Sequence, residues 1–438
     1  MKKITIIGTG YVGLVTGAGL ADFGNEVTCV DILKSKINQL KKGEIPFFEP
    51  GLKEIIVRNV NENRLSFTTE IEKSVQLSEV IFIAVGTPEL SSGQADLSQI
   101  LKVSKVIGEN LNFYKVICTK STVPIGTGKE ICKTINKNLK SNVYFDYVSN
   151  PEFLREGSSV KDFLWPDRVV IGAKETKAFN ILKEVYRPLY VNKTPIMHTN
   201  IETAEMIKYA SNAFLALKIS YINEIANLCD KVGADVHQVA SAMGKDGRIS
   251  SKFLHPGPGY GGSCFPKDTK ALVNIAKENG LNFNTIEAAI IANENQNIVM
   301  FKKLKKLLQN QISDKLIGIL GLSFKPNTDD IRESPSLKMI SFLIREGANV
   351  KSYDPVVSNQ IKKIFPDLNC CSSLQECVSG TDAIVIMTEW NVFRSMDLKK
   401  VFKIMKKPVI LDTRNILSTH ELNNIGFTHD NVGRKSII

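Results

Sequence analysis

The sequence predicts an α/β protein in which two doubly wound parallel sheets are joined by a central region built around one long helix. Three observations lead to this prediction. The chain opens with a strand, a glycine-rich turn, a helix and a second strand; a similar series begins near residue 315; and apolar residues recur at helical spacing from about 199 to 233. The 438 residues suffice for three domains with separate cores, for which we expect the boundaries 1–198, 199–300 and 301–438.

The composition is typical of a globular protein, with 43% hydrophobic and 23% charged residues. The first residues lack the apolar core and the small-residue cleavage site of a secretion signal, and no apolar run reaches the ~18 residues of a membrane-spanning helix. We therefore expect a cytoplasmic protein without a membrane partner.

The cysteines and the charges argue against two further classes of function. Eight scattered cysteines form no Cys-x-x-Cys pair and have no histidine cluster nearby, which favours reduced thiols and no metal site. The 56 basic and 45 acidic residues give a net charge of +11, which would suit nucleic acid or anionic small molecules. Because the lysines are spread along the chain, we expect no nucleic-acid partner.

The first element is a β-branched strand at 2–7, which ends in the turn GTGYVG and continues into a helix to about residue 23. In such a turn the first glycine permits the bend, the second admits a pyrophosphate and the third lets helix and strand pack closely. The helix N-terminus then faces the phosphates with free N–H groups. This turn predicts a Rossmann-like dinucleotide site with the residues Gly8, Gly10, Tyr11, Val12 and Gly13.

The second strand, at 26–30, is followed by Asp31. A carboxylate at this position accepts hydrogen bonds from both ribose hydroxyls and repels a 2′-phosphate, so the sequence favours NAD over NADP. The strands expected at 80–85, 115–119 and 144–149 end in polar segments that should border the same site. Thr122 and Glu156 are the hydroxyl and carboxylate that we place nearest the chemistry, although Ser121, Thr122 and Asn150 also suit turns or helix caps.

The long helix expected from 199 to 233 carries Lys208 and Asn212, which are four residues apart and therefore share a face. A lone lysine in such a helix is usually a surface residue. Together with the amide of Asn212, it could instead project into a cleft.

Cys264 lies in GPGYGGSCFPKD (257–268), a glycine-rich turn with a lysine and an aspartate three and four residues later. A buried, inert thiol would fit an apolar strand better than this charged turn. Since the thiolate is the nucleophilic form, the turn indicates covalent chemistry. With a dinucleotide site on the same chain, this thiol predicts a dehydrogenase that forms a thioester and oxidises an alcohol beyond the aldehyde.

The second α/β series has expected strands at 315–320, 349–353, 383–387 and 408–411 and an expected helix at 335–346. It lacks the full glycine signature but is otherwise Rossmann-like. Lys325, Arg332 and Arg414 lie at or near strand ends, where they could hold phosphates or cap helices.

Six motifs, in order, resemble the UDP-glucose/GDP-mannose dehydrogenase family across nearly the whole chain. They are GTGYVG (8–13), STVPIGT (121–127), NPEFLREG (150–157), KYASNAFLALKISYINE (208–224), GPGYGGSCFPKD (257–268) and GLSFKPNTDDIRESPS (321–336). The Gly-Gly-Ser-Cys segment fits the branch that acts on UDP-glucose, whereas His255 stands where some members carry lysine. The resemblance implies an N-terminal NAD domain, a central helical domain that forms a homodimer and a C-terminal UDP-binding domain.

The implied reaction oxidises UDP-glucose to UDP-glucuronate with two NAD⁺, through a thiohemiacetal and a thioester on Cys264. Thr122 and Asp268 would hold the water that receives the hydroxyl proton, Lys208 and Asn212 would stabilise the oxyanion, and Glu152 or Glu156 would direct the hydrolytic water. The implied catalytic residues are Cys264, Lys208, Asn212, Asp268, Thr122 and Glu152. The implied cofactor contacts beyond the glycine turn are Asp31, Lys36, Thr87, Ser121, Thr122, Glu156, Lys267 and Arg332. The implied substrate contacts are Glu152, Phe153, Leu154, Lys208, Asn212, Arg248 from a neighbouring subunit, Phe253, Tyr260, Gly261, Lys325 and Arg414.

Two alternatives remain open at the level of sequence. One is the same chemistry on another nucleotide sugar, such as GDP-mannose or a UDP-N-acetylhexosamine. The other is a non-enzymatic regulator that binds NAD or polyanions. This second alternative would need a catalytic group to be missing, and Cys264, Lys208, Asn212, Asp268 and Thr122 are all present.

Overall fold

The computed structural model describes residues 1–90, 93–357 and 359–434. The chain forms two compact units, Met1–Ser211 and Asn212–Ile438. Each unit contains one sheet.

The first unit is built on an eight-stranded sheet. Its strands are β1 (Lys3–Ile7), β2 (Glu26–Val30), β3 (Leu65–Thr68), β4 (Val80–Ile83), β5 (Lys115–Thr119), β6 (Phe145–Ser149), β7 (Val169–Ala173) and β8 (Ile196–Thr199). They lie in the order β3-β2-β1-β4-β5-β6-β7-β8. The first six are parallel in the doubly wound order, whereas β7 runs antiparallel to β6 and parallel to β8.

Helices cover both faces of this sheet, which explains why its central strands are apolar on both sides. The helices are α1 (Tyr11–Asp22), α2 (Lys34–Lys41), α3 (Leu52–Asn61), α4 (Ile71–Leu77), α5 (Ser98–Asn110), α6 (Thr127–Lys137), α7 (Ser159–Leu164) and α8 (Thr176–Val185), with a 3₁₀ turn at Arg187–Tyr190. One core includes Ile4 and Phe82, and the other includes Ile81 and Ile117.

A long helix, α9 (Ile201–Val232), begins in the first unit and continues into the second. The second unit then contains α10 (Val236–Gly244), α11 (Phe265–Glu278), α12 (Asn284–Leu307), α13 (Pro335–Arg345), α14 (Asn359–Lys362), α15 (Leu374–Val378), α16 (Asn391–Arg394), α17 (Leu398–Ile404) and α18 (Thr419–Ile425). Its strands are β9 (Leu316–Leu320), β10 (Asn349–Tyr353), β11 (Asn369–Cys370), β12 (Ala383–Ile386), β13 (Val409–Asp412) and β14 (Thr428–Asp430).

The second sheet is parallel throughout and has the order β11-β10-β9-β12-β13-β14. The two sheets therefore repeat one doubly wound topology, and the predicted fold class is confirmed. The strand predicted at 80–85 ends earlier, at Ile83. Beyond it the backbone bonds to side chains, as where the Val85 carbonyl accepts a hydrogen bond from the Ser121 hydroxyl. The structure also adds β7 and β8 beyond the six-stranded pattern.

Candidate active site

The glycine turn between β1 and α1 leaves open space in front of the helix. Gly8 has φ +103°, and a Cβ there would lie 2.6 Å from the Ala84 carbonyl oxygen. A Cβ on Gly13 would overlap the Gly8 carbonyl, whereas one on Gly10 would meet no atom of the described residues within 4 Å. Gly8 and Gly13 are thus required by packing, and Gly10 leaves room at the start of α1, as close approach of a pyrophosphate requires.

Asp31 is held at the end of β2 as an anion. Its carboxylate accepts hydrogen bonds from the Thr9 backbone N–H (3.1 Å) and hydroxyl (2.7 Å), from the Leu33 N–H (3.1 Å) and from the Lys36 ammonium (3.2 Å). Burial acts to raise the pKa of Asp31, but these hydrogen bonds outweigh it and leave the pKa lowered. A fixed negative charge at this position suits ribose hydroxyls and disfavours a 2′-phosphate.

Glu49 connects the glycine turn to the end of the NPEFLREG segment. This buried carboxylate accepts hydrogen bonds from the Tyr11 hydroxyl (2.6 Å), the Gly157 N–H (2.6 Å) and the Ser159 N–H (2.8 Å). Burial and the Glu49 hydrogen bond raise the pKa of Tyr11 above its ordinary value. Sequence reasoning missed Glu49, although an acid within the apolar, proline-flanked stretch 46–51 was a usable signal.

The segment after β5 is attached to the segment after β4. The Thr87 hydroxyl donates to the Thr122 carbonyl (2.9 Å), and the Ser121 hydroxyl donates to the Val85 carbonyl (2.6 Å). Thr87 and Ser121, two of the predicted cofactor residues, therefore fix the backbone at positions 121–122. Thr122 itself is half-buried.

Lys208 and Glu152 form a buried ion pair. The Lys208 ammonium donates to Glu152 Oε1 at 2.8 Å, and the two side chains are 4% and 5% exposed. The Lys208 nitrogen lies 5.4 Å from the centre of the Phe153 ring, whose face also carries the Arg168 guanidinium at 3.7 Å. The structure thus brings together three predicted residues, while Arg168 was not predicted.

A second buried ammonium lies near this pair. Lys120 donates to Asn150 Oδ1 (3.1 Å) and to the Tyr186 hydroxyl (3.2 Å). Burial lowers the pKa of Lys120 to about 8. The charge of Glu152 acts to raise this pKa and that of Lys208 acts to lower it. Asn150, Glu152 and Phe153 of the NPEFLREG segment therefore each contact a basic side chain that lies far away in the sequence.

The rest of that segment is less enclosed. The Leu154 N–H donates to Glu152, so the predicted substrate residue Leu154 fixes the carboxylate through its backbone. Glu156 is half-buried and lies close enough to Tyr11 to contribute to the raised pKa of that phenol.

In the second unit, Cys264 is the residue immediately before α11. Its sulfur is half-buried and lies 3.6 Å from the Ser263 hydroxyl. One turn along the helix, the fully buried Asp268 accepts hydrogen bonds from Asn212 Nδ2 (2.7 Å) and the Lys267 ammonium (2.8 Å). A thiolate at the start of a 14-residue helix is stabilised by the helix dipole, and four predicted residues meet here.

The glycine-rich loop before Cys264 is fixed by its backbone. Gly259 and Gly262 have φ of +114° and +83°, and the Gly262 N–H donates to the Arg332 carbonyl at 2.9 Å. Asn293, which was not predicted, accepts from the Tyr260 N–H (2.7 Å) and donates to the Tyr260 carbonyl (3.1 Å). It shares the buried face of α12 with Gln296 and Asn297, and these three amides at helical spacing among apolar residues were the sequence signal.

Side chains next to Cys264 pack closely. A Cβ on Gly261 would overlap the Glu333 carbonyl, so this loop position is closed to any side chain. The rings of Phe253 and Tyr260 each lie 6.1 Å from the ring of Phe265. These predicted substrate residues therefore surround the residue that follows the thiol.

Two predicted basic residues of the second unit, Arg414 and Lys325, lie close to Phe324. Arg414 donates to the carbonyls of Met387 (2.7 Å) and Phe324 (3.0 Å), and one of its terminal nitrogens would lie 3.3 Å from a Cβ on Gly257. Lys325 follows Phe324, with its ammonium 5.3 Å from that ring. Arg414, Lys325 and the glycine loop thus lie in one neighbourhood.

Two predicted arginines lie at the surface with aspartate partners. Arg332 pairs with Asp330 at 2.7 Å, and the highly exposed Arg248 pairs with Asp246 at 2.6 Å. In the described part of the chain, no three His, Cys, Asp or Glu residues are grouped to hold a metal ion. Nor is any helix there long and apolar enough to cross a membrane.

Comparison with known proteins gives matches along the whole chain. Three models of the UDP-glucose/GDP-mannose dehydrogenase family match: the NAD binding domain at 2–190, the central domain at 202–295 and the UDP binding domain at 318–419. The first match confirms the predicted use of NAD. The UDP-glucose 6-dehydrogenase TuaD of Bacillus subtilis (strain 168) is 47% identical over 100% of this chain and 94% of its own length. The UDP-glucose 6-dehydrogenase of Rhizobium meliloti (strain 1021) is 48% identical over 99% of each chain.

Solved structures agree with the sequence matches. A UDP-glucose dehydrogenase from Pyrobaculum islandicum superposes with a TM-score of 0.90 at 34% identity and covers 95% of each chain. A UDP-D-ManNAc dehydrogenase from Pyrococcus horikoshii superposes with a TM-score of 0.88 at 30% identity, covering 99% of this chain and 100% of its own. The chain therefore belongs to the UDP-glucose/GDP-mannose dehydrogenase family.

Proposed function

We propose that the protein oxidises UDP-glucose to UDP-glucuronate in two successive NAD⁺-dependent steps. The observation that carries this proposal is the set around Cys264: a half-buried thiol at a helix start, with Asp268 one turn later bound to Asn212 and Lys267. An alcohol-only dehydrogenase has no need of a nucleophilic cysteine, whereas two oxidations at one carbon require that the aldehyde be held. The relatives named UDP-glucose 6-dehydrogenase favour this substrate.

The glycine turn and Asp31 suit NAD⁺ because Gly10 leaves space at the start of α1 and Asp31 presents an anion at the end of β2. When bound, the cofactor accepts one hydride in each oxidation. Tyr11, Val12, Lys36, Thr87, Ser121, Glu156, Lys267 and Arg332 are the further cofactor contacts that we propose.

In the first oxidation, the C6 hydroxyl loses its proton while a hydride leaves the carbon. We assign proton removal to a water bound by Thr122 and Asp268, and stabilisation of the developing oxyanion to the Lys208 ammonium. Lys208 is held ready by its hydrogen bond to Glu152, which fixes the direction of the ammonium before substrate binds. The product of this step is an aldehyde.

In the second oxidation, the Cys264 thiolate adds to the aldehyde carbon, and the oxygen takes up a proton to give a thiohemiacetal. Loss of that proton and of a second hydride leaves a thioester. Water directed by Glu152 then attacks the thioester, the C–S bond breaks, and the carboxylate and the thiolate are released. Asn212 is the proposed second donor to the oxyanion.

The nucleotide sugar has eight further proposed contacts. Phe153, Leu154 and Arg248 join Phe253, Tyr260, Gly261, Lys325 and Arg414 as proposed substrate contacts. Arg414 and Lys325 carry the positive charge that a diphosphate requires. GDP-mannose and UDP-N-acetylhexosamines are the competing substrates, and direct comparison decides between them.

Counting NADH formed per sugar nucleotide consumed tests the proposal. With UDP-glucose and excess NAD⁺, we expect two NADH per UDP-glucose and UDP-glucuronate as the only sugar product, because the aldehyde stays covalently bound. The control replaces UDP-glucose with GDP-mannose or UDP-N-acetylglucosamine at equal concentration. A ratio of one, or faster turnover of a competing sugar, would contradict the proposal.

We further propose the three domains 1–198, 199–300 and 301–438 and a homodimer built on the central helices. On α9, the large apolar side chains Phe214, Tyr221 and Leu228 are 60%, 46% and 56% exposed and are spaced seven residues apart. Ile291 and Ile298 repeat this spacing on α12 and are 58% and 42% exposed. A seven-residue apolar repeat forms a continuous stripe on a helix, and a second helix of the same kind would bury it.

Replacing Tyr221 and Leu228 with glutamate is expected to convert the dimer to a monomer. Two charges on each copy would be buried without partners in the interface. Light scattering coupled to size-exclusion chromatography measures the mass. Ile344→Glu, at an exposed apolar position on α13, is the matched control and should leave the mass unchanged. A double variant with the mass of the unmodified protein would rule out this stripe as the interface.

A further inference from the structure

Glu205 is a buried carboxylate that the proposed reaction does not use. It lies on α9 three residues before Lys208 and is 2% exposed. Its two oxygens accept hydrogen bonds from different backbone groups: Oε2 from the Gly126 N–H at 2.6 Å and Oε1 from the Gly128 N–H at 3.0 Å. The carboxylate thus spans the start of α6.

The start of α6 has few alternative acceptors. Its N-cap is Gly126, with φ +95° and no side chain to accept a hydrogen bond from the first turn. The site is also tightly packed, because a Cβ on Gly128 would lie 2.6 Å from the Tyr147 ring and 2.8 Å from Ile201. Glu205 therefore supplies, from another helix, the cap that α6 lacks.

The segment that Glu205 holds is the one that carries Thr122. At its beginning, Ser121 and Thr87 attach it to the segment after β4, and at its end the Gly126 and Gly128 N–H groups attach it to Glu205. One turn of α9 therefore carries two anchors: Glu205 for the Thr122 segment and Lys208 for Glu152.

We propose that Glu205 is a positioning residue. Its ionised carboxylate keeps the Thr122 segment in place relative to the Lys208–Glu152 pair. Its protonation weakens the attachment of that segment and slows turnover. This role rests on the proposed function. A protonated carboxyl has one strong acceptor oxygen in place of two, so it can hold only one of the two N–H groups well.

The surroundings of Glu205 make this protonation occur near neutral pH. Burial raises its pKa from the usual 4.5 to about 7, against the two N–H bonds that lower it. The neighbouring Glu202 and Lys129 pair at 2.9 Å, which lowers the pKa of Glu202 and raises that of Lys129. Burial also raises the pKa of Cys132, on α6, to about 11, and raises that of Tyr147, on β6. Between pH 6 and pH 8, Glu202, Lys129, Cys132 and Tyr147 therefore keep their protonation states, whereas Glu205 changes its own.

The effects on stability and on activity have opposite signs. Because the folded pKa of Glu205 lies above the unfolded value, the folded protein binds the extra proton between about pH 4.5 and 7, and this contribution to stability falls as the pH rises. The proposed role requires activity to rise over the upper part of the same range. A residue that mattered only for stability would not produce that rise.

Glu205→Gln tests the role, since glutamine resembles the protonated carboxyl. At pH 8 we expect kcat to fall roughly 10- to 100-fold, with KM for UDP-glucose and NAD⁺ within about twofold. In the unmodified protein, ionisation of Glu205 should increase kcat between pH 6 and pH 8. This increase should be lost in the variant. Glu202→Gln, one turn earlier on α9, is the matched control and should leave kcat at pH 8 unchanged. Because the Glu202 charge acts to raise the pKa of Glu205, this control should only move the rise in kcat to lower pH, not remove it. A Glu205→Gln variant with full kcat at pH 8 and an unaltered profile would overturn the proposal.

Deuterium exchange of the peptide 121–131 gives a readout that does not depend on substrate. After correction for intrinsic rates, exchange in the unmodified protein should be faster at pH 6 than at pH 8, and faster still in Glu205→Gln. If UDP-glucose is not oxidised but this exchange pattern is observed, the proposed function is wrong and the attachment of the Thr122 segment by Glu205 is still supported. If exchange in the unmodified protein does not depend on pH, the proposed attachment by Glu205 is wrong. This outcome can be read even if the variant does not fold.

Discussion

Replacing Cys264 with serine is expected to lower the steady-state formation of UDP-glucuronate by roughly 10³-fold or more. At neutral pH a serine hydroxyl is almost entirely protonated, so it adds to the aldehyde far more slowly than a thiolate. NAD⁺ binding should be unchanged, since the cofactor residues of the first unit are untouched. Product formation is followed by chromatography of the sugar nucleotides, and cofactor binding by calorimetry.

Cys370→Ser is the matched control for this variant. Cys370 is also half-buried but lies on β11 and is not among the proposed site residues, so its replacement should leave the rate within about twofold. Mass spectrometry of the acid-quenched unmodified protein during turnover should show a sugar-nucleotide adduct on Cys264. A Cys264→Ser variant that makes UDP-glucuronate at the normal rate would remove the covalent step from the mechanism.

The fold could be predicted because its signals are local. The β-branched strand, the three glycines and the apolar helix at the start of the chain follow each other without interruption. Seen from sequence, however, a strand such as β7 carries no mark of its direction. Its antiparallel pairing with β6 depends on where the chain re-enters the sheet after α7, and that path is a property of the packed unit.

The same distinction applies to the site. Cys264, Lys267 and Asp268 stand within five residues of each other and could be read as one chemical group. Glu49 and Glu205 could not, because they bind backbone N–H groups 108 and 79 residues away along the chain. An acid on a helix normally faces solvent, and only the packing of α9 against α6 turns Glu205 into a cap.

Removing the Lys208 ammonium, by Lys208→Ala, is expected to lower kcat at least 10²-fold, because the oxyanion of the first oxidation loses its charged donor. The variant should also lose about 3–5 kcal/mol of unfolding free energy, since Glu152 would remain buried without its partner. These two effects must be separated. Initial rates give kcat, and urea unfolding gives the free energy.

The double variant Lys208→Ala with Glu152→Gln separates them. Neutralising Glu152 removes the unpaired charge, so stability should largely return while the rate stays low, because no ammonium is restored. Lys231→Ala, at the exposed last turn of α9, is the control and should change neither quantity. If the double variant recovered activity together with stability, Lys208 would act only by keeping the NPEFLREG segment folded. If it recovers stability alone, and Glu152→Gln by itself keeps a clearly higher kcat than the double variant, the ammonium acts on the reacting oxygen.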